Sequence, residues 1–325
     1  MMTPLDFNIF TDDYTYQRNV NHVTDSLEKR LAGMYGAGKV FLTNSCMEAV
    51  TTLFDYLLPC KGKVLVNRDT YYETRQWLKL TKRYEVVEVD CKDLDIFRKA
   101  CLYENPDIVY LDNPSFFFNF YDLKTIALLA HAVDAKVIVD NTVLSLYYQN
   151  PIRDGADFAV ESYSKYLAGH GDVMAGGIIC KDIPKDSQMD VFIGRRGRCV
   201  SAMTVFLLER SLETLAVRME RHTNTGRYIA QKLKETGVAY WYSGFGGCII
   251  FPNLGKSFCD ALAAKGHFKV CPTFGTTFST TSFVRSSDLY RLKSYARISC
   301  GLEDKDALLH DVLDVLTSYG CKSIA

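Results

Sequence analysis

Short runs of β-branched and aliphatic residues recur along the first half of the chain at 40–43, 64–66, 84–89, 108–111, 137–139 and 158–160, mostly apolar on consecutive positions. A strand that alternates apolar with polar residues shows one face to water, whereas a strand apolar throughout is covered on both. Between these runs lie longer stretches, 48–57, 73–80 and 123–133 among them, in which apolar residues return every three or four positions, the spacing of a helix. Strand and helix in alternation predict a large, mostly parallel sheet with helices on both faces, and such sheets collect ligands beyond the carboxyl ends of their strands. From about 204 to 233 the spacing predicts one long helix. The texture then changes: strand-like 244–252, 268–279 and 295–300 and an amphipathic helix over 305–319 predict a smaller C-terminal α/β domain.

Composition narrows the function classes. A chain of 325 residues, 48% apolar, buries a large core and is neither disordered nor fibrous. With 38 basic and 38 acidic residues and no block of like charge, it has no electrostatic footprint for nucleic acid or an anionic membrane, so the expected partner is a small molecule. The 11 cysteines form no C-x-x-C pair and no metal-type spacing with the six histidines, which excludes a sequence-legible metal site and reads as reduced thiols. No apolar run reaches membrane-spanning length, and the opening Met1-Met2-Thr3-Pro4 lacks a leader pattern, so a cytoplasmic location is expected.

Candidate chemistry gathers at predicted strand ends. Lys165 lies in Val160-Glu161-Ser162-Tyr163-Ser164-Lys165, followed by a glycine-rich exit. A lysine amine condenses with an aldehyde to a Schiff base, and Ser162 and Ser164 beside it suit a phosphate, the pattern of a pyridoxal 5′-phosphate (PLP) site. Asp140 ends a buried strand, where an unpaired carboxylate costs several kcal/mol and needs a cation such as a pyridinium nitrogen. A helix cap or a salt bridge is the plainer alternative for such an aspartate. Ser45-Cys46-Met47-Glu48 follows a strand with a capping-box pattern, so first-turn N–H groups face the ligand edge and suit an anion. Tyr72 follows the next strand and suits a ring laid against a cofactor ring. Arg297, in strand-like sequence, needs a carboxylate or carbonyls: bidentate capture of a substrate carboxylate fits, and an ion pair with Glu303 or Asp304 is the structural alternative.

These residues carry a resemblance to the PLP enzymes of cysteine and methionine metabolism, which include cystathionine synthases and lyases, methionine γ-lyase and O-acetylhomoserine sulfhydrylases. It rests on Asp140-Asn141-Thr142, Pro151-Ile152-x-x-Gly155-Ala156-Asp157, Ser162-x-Ser164-Lys165-Tyr166-x-x-Gly169-His170-x-Asp172 and Gly176-Gly177. Further matches are Tyr16-Gln17-Arg18, Leu27-Glu28-x-Arg30-Leu31-Ala32, the stretch Arg210 to His222 and Arg297-Ile298-Ser299-x-Gly301-Leu302-Glu303-Asp304.

The resemblance implies the type I fold of PLP-dependent transferases, with an N-terminal arm over 1–25, a large cofactor domain over 26–215 and a small domain over 216–325. It implies that Lys165 bonds the cofactor, Asp140 partners the pyridine nitrogen and Tyr72 stacks on the ring. Ser45, the Cys46 and Met47 N–H groups, Ser162 and Ser164 would hold the phosphate. Tyr16 and Arg18 would reach the neighbouring subunit's phosphate site, which implies a dimer with shared sites and commonly a tetramer. Arg297 and Thr273 would hold a substrate carboxylate. The implied activity is elimination or replacement at Cγ or Cβ of a sulfur-containing or O-activated amino acid, of the transsulfuration kind. Aminotransfer or other PLP chemistry on the same architecture, and a non-catalytic PLP-binding relative, are the alternatives.

The chain also departs from the family's pattern. Cys46 stands where the family has a glycine, adding a side chain expected beside the phosphate. Glu73 replaces another glycine, and Arg75 falls near a usual threonine. Phe116 in Asp112-Asn113-Pro114-Ser115-Phe116-Phe117 replaces the asparagine expected to bond the cofactor's phenolic oxygen.

Overall fold

A computed structural model describes residues 22–184, 187–285 and 294–320. The chain forms two compact units, residues 1–167 with 173–212 and residues 168–172 with 213–325.

The first unit alternates as the pattern predicts. It runs α1 (His22–Tyr35), β1 (Lys39–Thr43), α2 (Cys46–Leu57), β2 (Gly62–Asn67), α3 (Tyr72–Thr81), β3 (Tyr84–Val89), α4 (Leu94–Glu104) and β4 (Ile108–Asp112). There follow α5 (Leu123–His131), β5 (Lys136–Asp140), α6 (Ser145–Tyr148), β6 (Phe158–Ser162), β7 (Gly176–Cys180), α7 (Met189–Arg195) and α8 (Ala202–Leu212). The strands form one sheet in the order β1-β7-β6-β5-β4-β2-β3. From β6 to β3 all neighbours are parallel, while β7 runs antiparallel to both β6 and β1.

Each face of the sheet has its own apolar layer. Val64, Val66, Tyr110, Ile138, Val160 and Ile178 pack under α2, α3 and α7, and Leu65, Val109, Leu111, Val137 and Val139 pack under α4 and α5. Alternate residues of the same strands feed opposite layers, which is why these runs are apolar without a break. Burying each such side chain contributes about 1.5–3 kcal/mol.

Two buried acids tie this sheet's edge and centre. The Glu28 carboxylate on α1 accepts the Leu42 N–H at 2.8 Å and pairs with Arg198 at 2.8 Å, both side chains buried. On β6, the buried Glu161 accepts the Tyr35 hydroxyl, which itself takes an N–H of Asn141 at 3.4 Å.

The second unit comprises α9 (Leu215–Thr236), β8 (Trp241–Tyr242), β9 (Cys248–Pro252), α10 (Lys256–Ala264), β10 (Phe268–Val270), β11 (Ser279–Arg285), β12 (Ser294–Ser299) and α11 (Lys305–Thr317). Its sheet has the order β10-β11-β12-β9-β8, antiparallel except for β10 beside β11. The apolar sides of α9, α10 and α11 close over it around Ile249, Phe251, Phe258 and Val312.

Three expectations need correction. The helical stretch 204–233 is two helices, α8 and α9, broken at Glu213-Thr214, where the chain passes from one unit to the other. The strand expected over 268–279 is the three-residue β10 followed by a loop, because Pro272 has no N–H to continue the ladder after Cys271 bonds Thr281. Strand β7 was not foreseen: it opens on two glycines, which strand propensity disfavours.

Candidate active site

The carboxyl ends of β4, β5 and β6 bring the chemistry-bearing residues of the first unit together. Asp140 is the last residue of β5, 8% exposed. Its Oδ1 accepts the Thr142 N–H at 2.9 Å, and its Oδ2 receives the Tyr110 hydroxyl at 3.5 Å and the Cys46 thiol at 3.9 Å. Thr142 also takes the Ser162 N–H on its hydroxyl at 2.9 Å, which ties the loop after β5 to the end of β6. Among the described residues no lysine, arginine or histidine pairs with Asp140. Burial pushes its carboxyl above the usual range despite the bonds from Thr142, Tyr110 and Cys46.

Helix α2 begins where β1 ends. Ser45 is its N-cap, and its hydroxyl accepts the Glu48 N–H at 3.1 Å, while Glu48 reaches back to the Asn44 N–H at 2.6 Å. The capping box is therefore formed, one residue longer on its return arm than the usual form. The Cys46 and Met47 N–H groups, in the first turn, have no carbonyl within the helix to bind. Gly176 lets this turn lie against the sheet: a Cβ there would come within 2.5 Å of the Cys46 nitrogen. The Cys46 thiol meets the Asp140 carboxylate at 3.9 Å. Burial and the Asp140 charge push that thiol well above its ordinary pKa.

Lys165 follows β6 in a tight turn, its N–H on the Ser162 carbonyl at 3.1 Å and its side chain half-buried. Ser162 ends β6, half-buried. The Ser164 hydroxyl accepts the Ala175 N–H at 3.0 Å and donates to the Ala175 carbonyl at 3.2 Å, so it pins the return of the chain into β7. Tyr72 is the first residue of α3, 36% exposed. Glu73 beside it faces solvent, and Arg75 is buried against Glu88 at 2.8 Å and the Arg68 carbonyl at 2.6 Å. Phe116 stands half-buried, edge-on to Phe117, with no amide in its place.

Sequence reasoning passed over three residues here. Asp112, at the end of β4, lies in register with Asp140 on the next strand. Its Oδ2 accepts the Tyr71 N–H at 2.7 Å, which makes Tyr71 as much a part of this edge as Tyr72. Tyr110 supplies its hydroxyl from two residues before Asp112 on the same face of β4. The available signal was positional: an acid ending the strand next to that of Asp140.

In the second unit, Arg297 on β12 is held by the carbonyls of Pro272 at 2.5 Å and Thr273 at 3.2 Å and lies over the Phe274 ring. The structural pair with Glu303 or Asp304 does not form: Glu303 binds Ser279, and Asp304 caps α11. Among the described residues no carboxylate pairs with Arg297. Thr273 contributes its carbonyl, which also accepts the Thr280 hydroxyl. In the lysine-proximal loop, Gly169 at φ +73° makes room for Arg218, whose Nη1 would lie 1.9 Å from a Cβ. Tyr16 and Arg18 lie outside the described residues.

The donor set of the first unit fits PLP. A buried carboxylate with no cation facing it suits a ring nitrogen that carries a proton, two free N–H groups at a helix start suit a phosphate, and the Lys165 amine suits an aldehyde. Among the described residues no group of histidines, cysteines and acids could hold a metal ion.

Comparison with known proteins agrees. The family model described as Cys/Met metabolism PLP-dependent enzyme matches residues 6–245. The chain is 29% identical over 313 residues to an L-methionine gamma-lyase of Treponema denticola, covering 93% of this chain and 75% of that protein. It is 34% identical over 225 residues to the cystathionine gamma-synthase of Escherichia coli, covering 68% of this chain but 58% of that protein. A crystal structure of cystathionine gamma synthase from Xanthomonas oryzae pv. oryzae, in complex with cystathionine, superposes with a TM-score of 0.89 at 24% identity over 97% of this chain and 92% of that one, which shows a shared fold. By its matched residues and its architecture, the chain belongs to the Cys/Met metabolism family of PLP-dependent enzymes.

Proposed function

We propose that the protein is a PLP-dependent lyase or transferase acting at Cγ or Cβ of a sulfur-containing or O-activated amino acid. The observation that carries the reading is the Asp140 carboxylate, buried without a cation at the end of β5, on the same sheet edge as the first turn of α2 and the Lys165 turn. Relatives named methionine gamma-lyase and cystathionine gamma-synthase support the substrate class.

PLP, when bound, supplies an electron-accepting ring conjugated to the substrate's α-carbon. Asp140 would accept a hydrogen bond from the ring N–H and so hold the proton on the nitrogen. The Cys46 and Met47 N–H groups, with Ser45 and Ser162, and Ser164 once its hydroxyl proton turns from the Ala175 carbonyl, would orient the phosphate, and Tyr71 or Tyr72 would cover the ring face. Lys165 Nζ would hold the cofactor's aldehyde and would carry the proton to and from the substrate's α-carbon. Arg297 and Thr273 are assigned to the substrate carboxylate. Tyr16 and Arg18 are assigned to the neighbouring subunit's phosphate site in a dimer or tetramer, and the setting is cytoplasmic, in keeping with the lack of a membrane-spanning helix among the described residues.

The test is a spectrum and a product panel. Purified protein shows the visible absorption of lysine-bound PLP, Lys165→Ala abolishes it, and cystathionine, methionine or a homoserine ester yields a 2-oxo acid with ammonia, or a thioether when a thiol is present. A Lys165→Ala variant with unchanged spectrum and turnover sinks the proposal.

A further inference from the structure

Asp112 is a buried acid to which the proposed chemistry assigns no task. It and Asp140 are register partners at the ends of adjacent parallel strands, so their backbones lie about 4.8 Å apart, with both carboxyls buried. The two are unequally provided for. Asp140 receives a backbone N–H, a phenol and a thiol. Asp112 receives the Tyr71 N–H on Oδ2 and has the Thr70 side chain beside it, and no hydrogen bond of normal geometry reaches its buried Oδ1. The groups facing the pair are Tyr110 on β4, Cys46 on α2 and Arg75 on α3, whose guanidinium is already engaged by Glu88 and the Arg68 carbonyl, while Glu161 on β6 acts from the opposite face of the sheet. Two adjacent buried carboxyls with no cation at hand do not both ionise, and the one with fewer donors keeps the proton.

We propose that Asp112 is a positioning residue for the cofactor's ring: at neutral pH it holds the pair's single proton on Oδ1, as a neutral acid, and so leaves Asp140 as the one anion facing the ring nitrogen. Burial, then the Asp140 charge, push the Asp112 carboxyl well above the usual carboxylate range, in the same direction. The neutral acid keeps Oδ2 as acceptor for Tyr71 and thereby fixes the start of α3, where Tyr71 and Tyr72 stand. No proton enters or leaves the pair when the cofactor loads; it stays on Asp112. The inference rests on the reading of Asp140 as the ring nitrogen's partner.

Infrared spectra of protein labelled with ¹³C at the aspartate carboxyls test it in the cofactor-free and loaded forms. Wild type shows the band of a protonated aspartic acid at pH 7.5 in both forms. That band is missing from Asp112→Asn and Asp112→Ser, the second variant keeping an acceptor for Tyr71 if the first fails to fold, and it persists in Asp140→Asn. PLP titrations of Asp112→Asn stay within about threefold of wild type, since the amide mimics a neutral acid, whereas Asp140→Asn weakens binding by about tenfold to hundredfold. No protonated band in wild type, a band surviving in both Asp112 variants, or an Asp112→Asn loss equal to that of Asp140→Asn overturns the proposal. Undiminished binding by Asp140→Asn overturns instead the assignment of the ring partner, while the band still reports where the proton sits.

Discussion

Glu161 shows how one side chain sets a pH dependence without touching the chemistry. Burial raises its pKa from 4.5 to about 7, with the Tyr35 bond acting the other way. A folded-state value above the unfolded one means that the stabilisation from the held proton is complete below pH 4.5 and is lost as pH rises through 7. The span corresponds to a change on the order of 3 kcal/mol. Glu161→Gln keeps an acceptor for Tyr35 and carries no charge, so it gains stability over wild type at pH 8 and shows no such gain at pH 4. Urea unfolding of both proteins at the two pH values checks this; a stability gap constant with pH refutes it. Residues of this kind are hard to read in a sequence, because Glu161 within Val160-Glu161-Ser162 looks like an ordinary polar strand position. Lys165 and Asp140 stood out because a glycine-rich exit and a strand end surround them, and Asp112 did not, because it was weighed only as part of an altered motif.

At the scale of elements, apolar runs located the parallel strands of the first unit within one or two residues at each end, since burial on both faces leaves few other arrangements. The failures share a cause: local composition competed with a tertiary demand. Strand β7 places Gly176 where α2 must come close and Gly177 against the Tyr163 ring, and the break between α8 and α9 serves a passage between units that no periodicity announces. The first turn of α2 therefore depends on a strand remote in sequence. Gly176→Ala brings a methyl against backbone atoms of Ser45 and Cys46, a clash no rotamer relieves, and costs about 1–3 kcal/mol. It also moves the Cys46 and Met47 N–H groups, so PLP affinity falls. Gly33→Ala in α1, where nothing lies within 4 Å of the new methyl, serves as control and leaves affinity unchanged with stability equal or slightly higher. Equal affinities for the two variants would contradict the role given to Gly176.

For the whole molecule, the matched family and the two-unit architecture were both legible, because the resemblance runs from the N-terminal residues to the final helix. Substrate choice was not, since the matched residues are assigned to the cofactor and to a substrate carboxylate, groups that every substrate of the class shares. The coupling of cofactor to stability is a property of the entire chain. Free PLP at a hundredfold its Kd adds about 2.7 kcal/mol to the folded state when the unfolded chain does not bind it. Thermal melts with and without PLP therefore differ by several degrees for wild type, and the difference shrinks in Asp140→Asn. A full shift in that variant would place the ring nitrogen elsewhere.

The antiparallel β7 has a further consequence for how the molecule comes into being. Strand β1 belongs to the first fifth of the chain and β6 to its middle, and β7, sitting between them, is their sole bridge in the sheet. During synthesis the first turn of α2 emerges well before the lysine turn, and within the sheet it is residues 176–180 that join the strand leading into α2 to the strand leading into that turn. A nascent polypeptide halted at residue 175 would hold every group proposed for vitamin B6 in the first unit but lack the strand that sets β1 and β6 in one sheet, so its affinity for the vitamin is expected to fall well below that of the full chain.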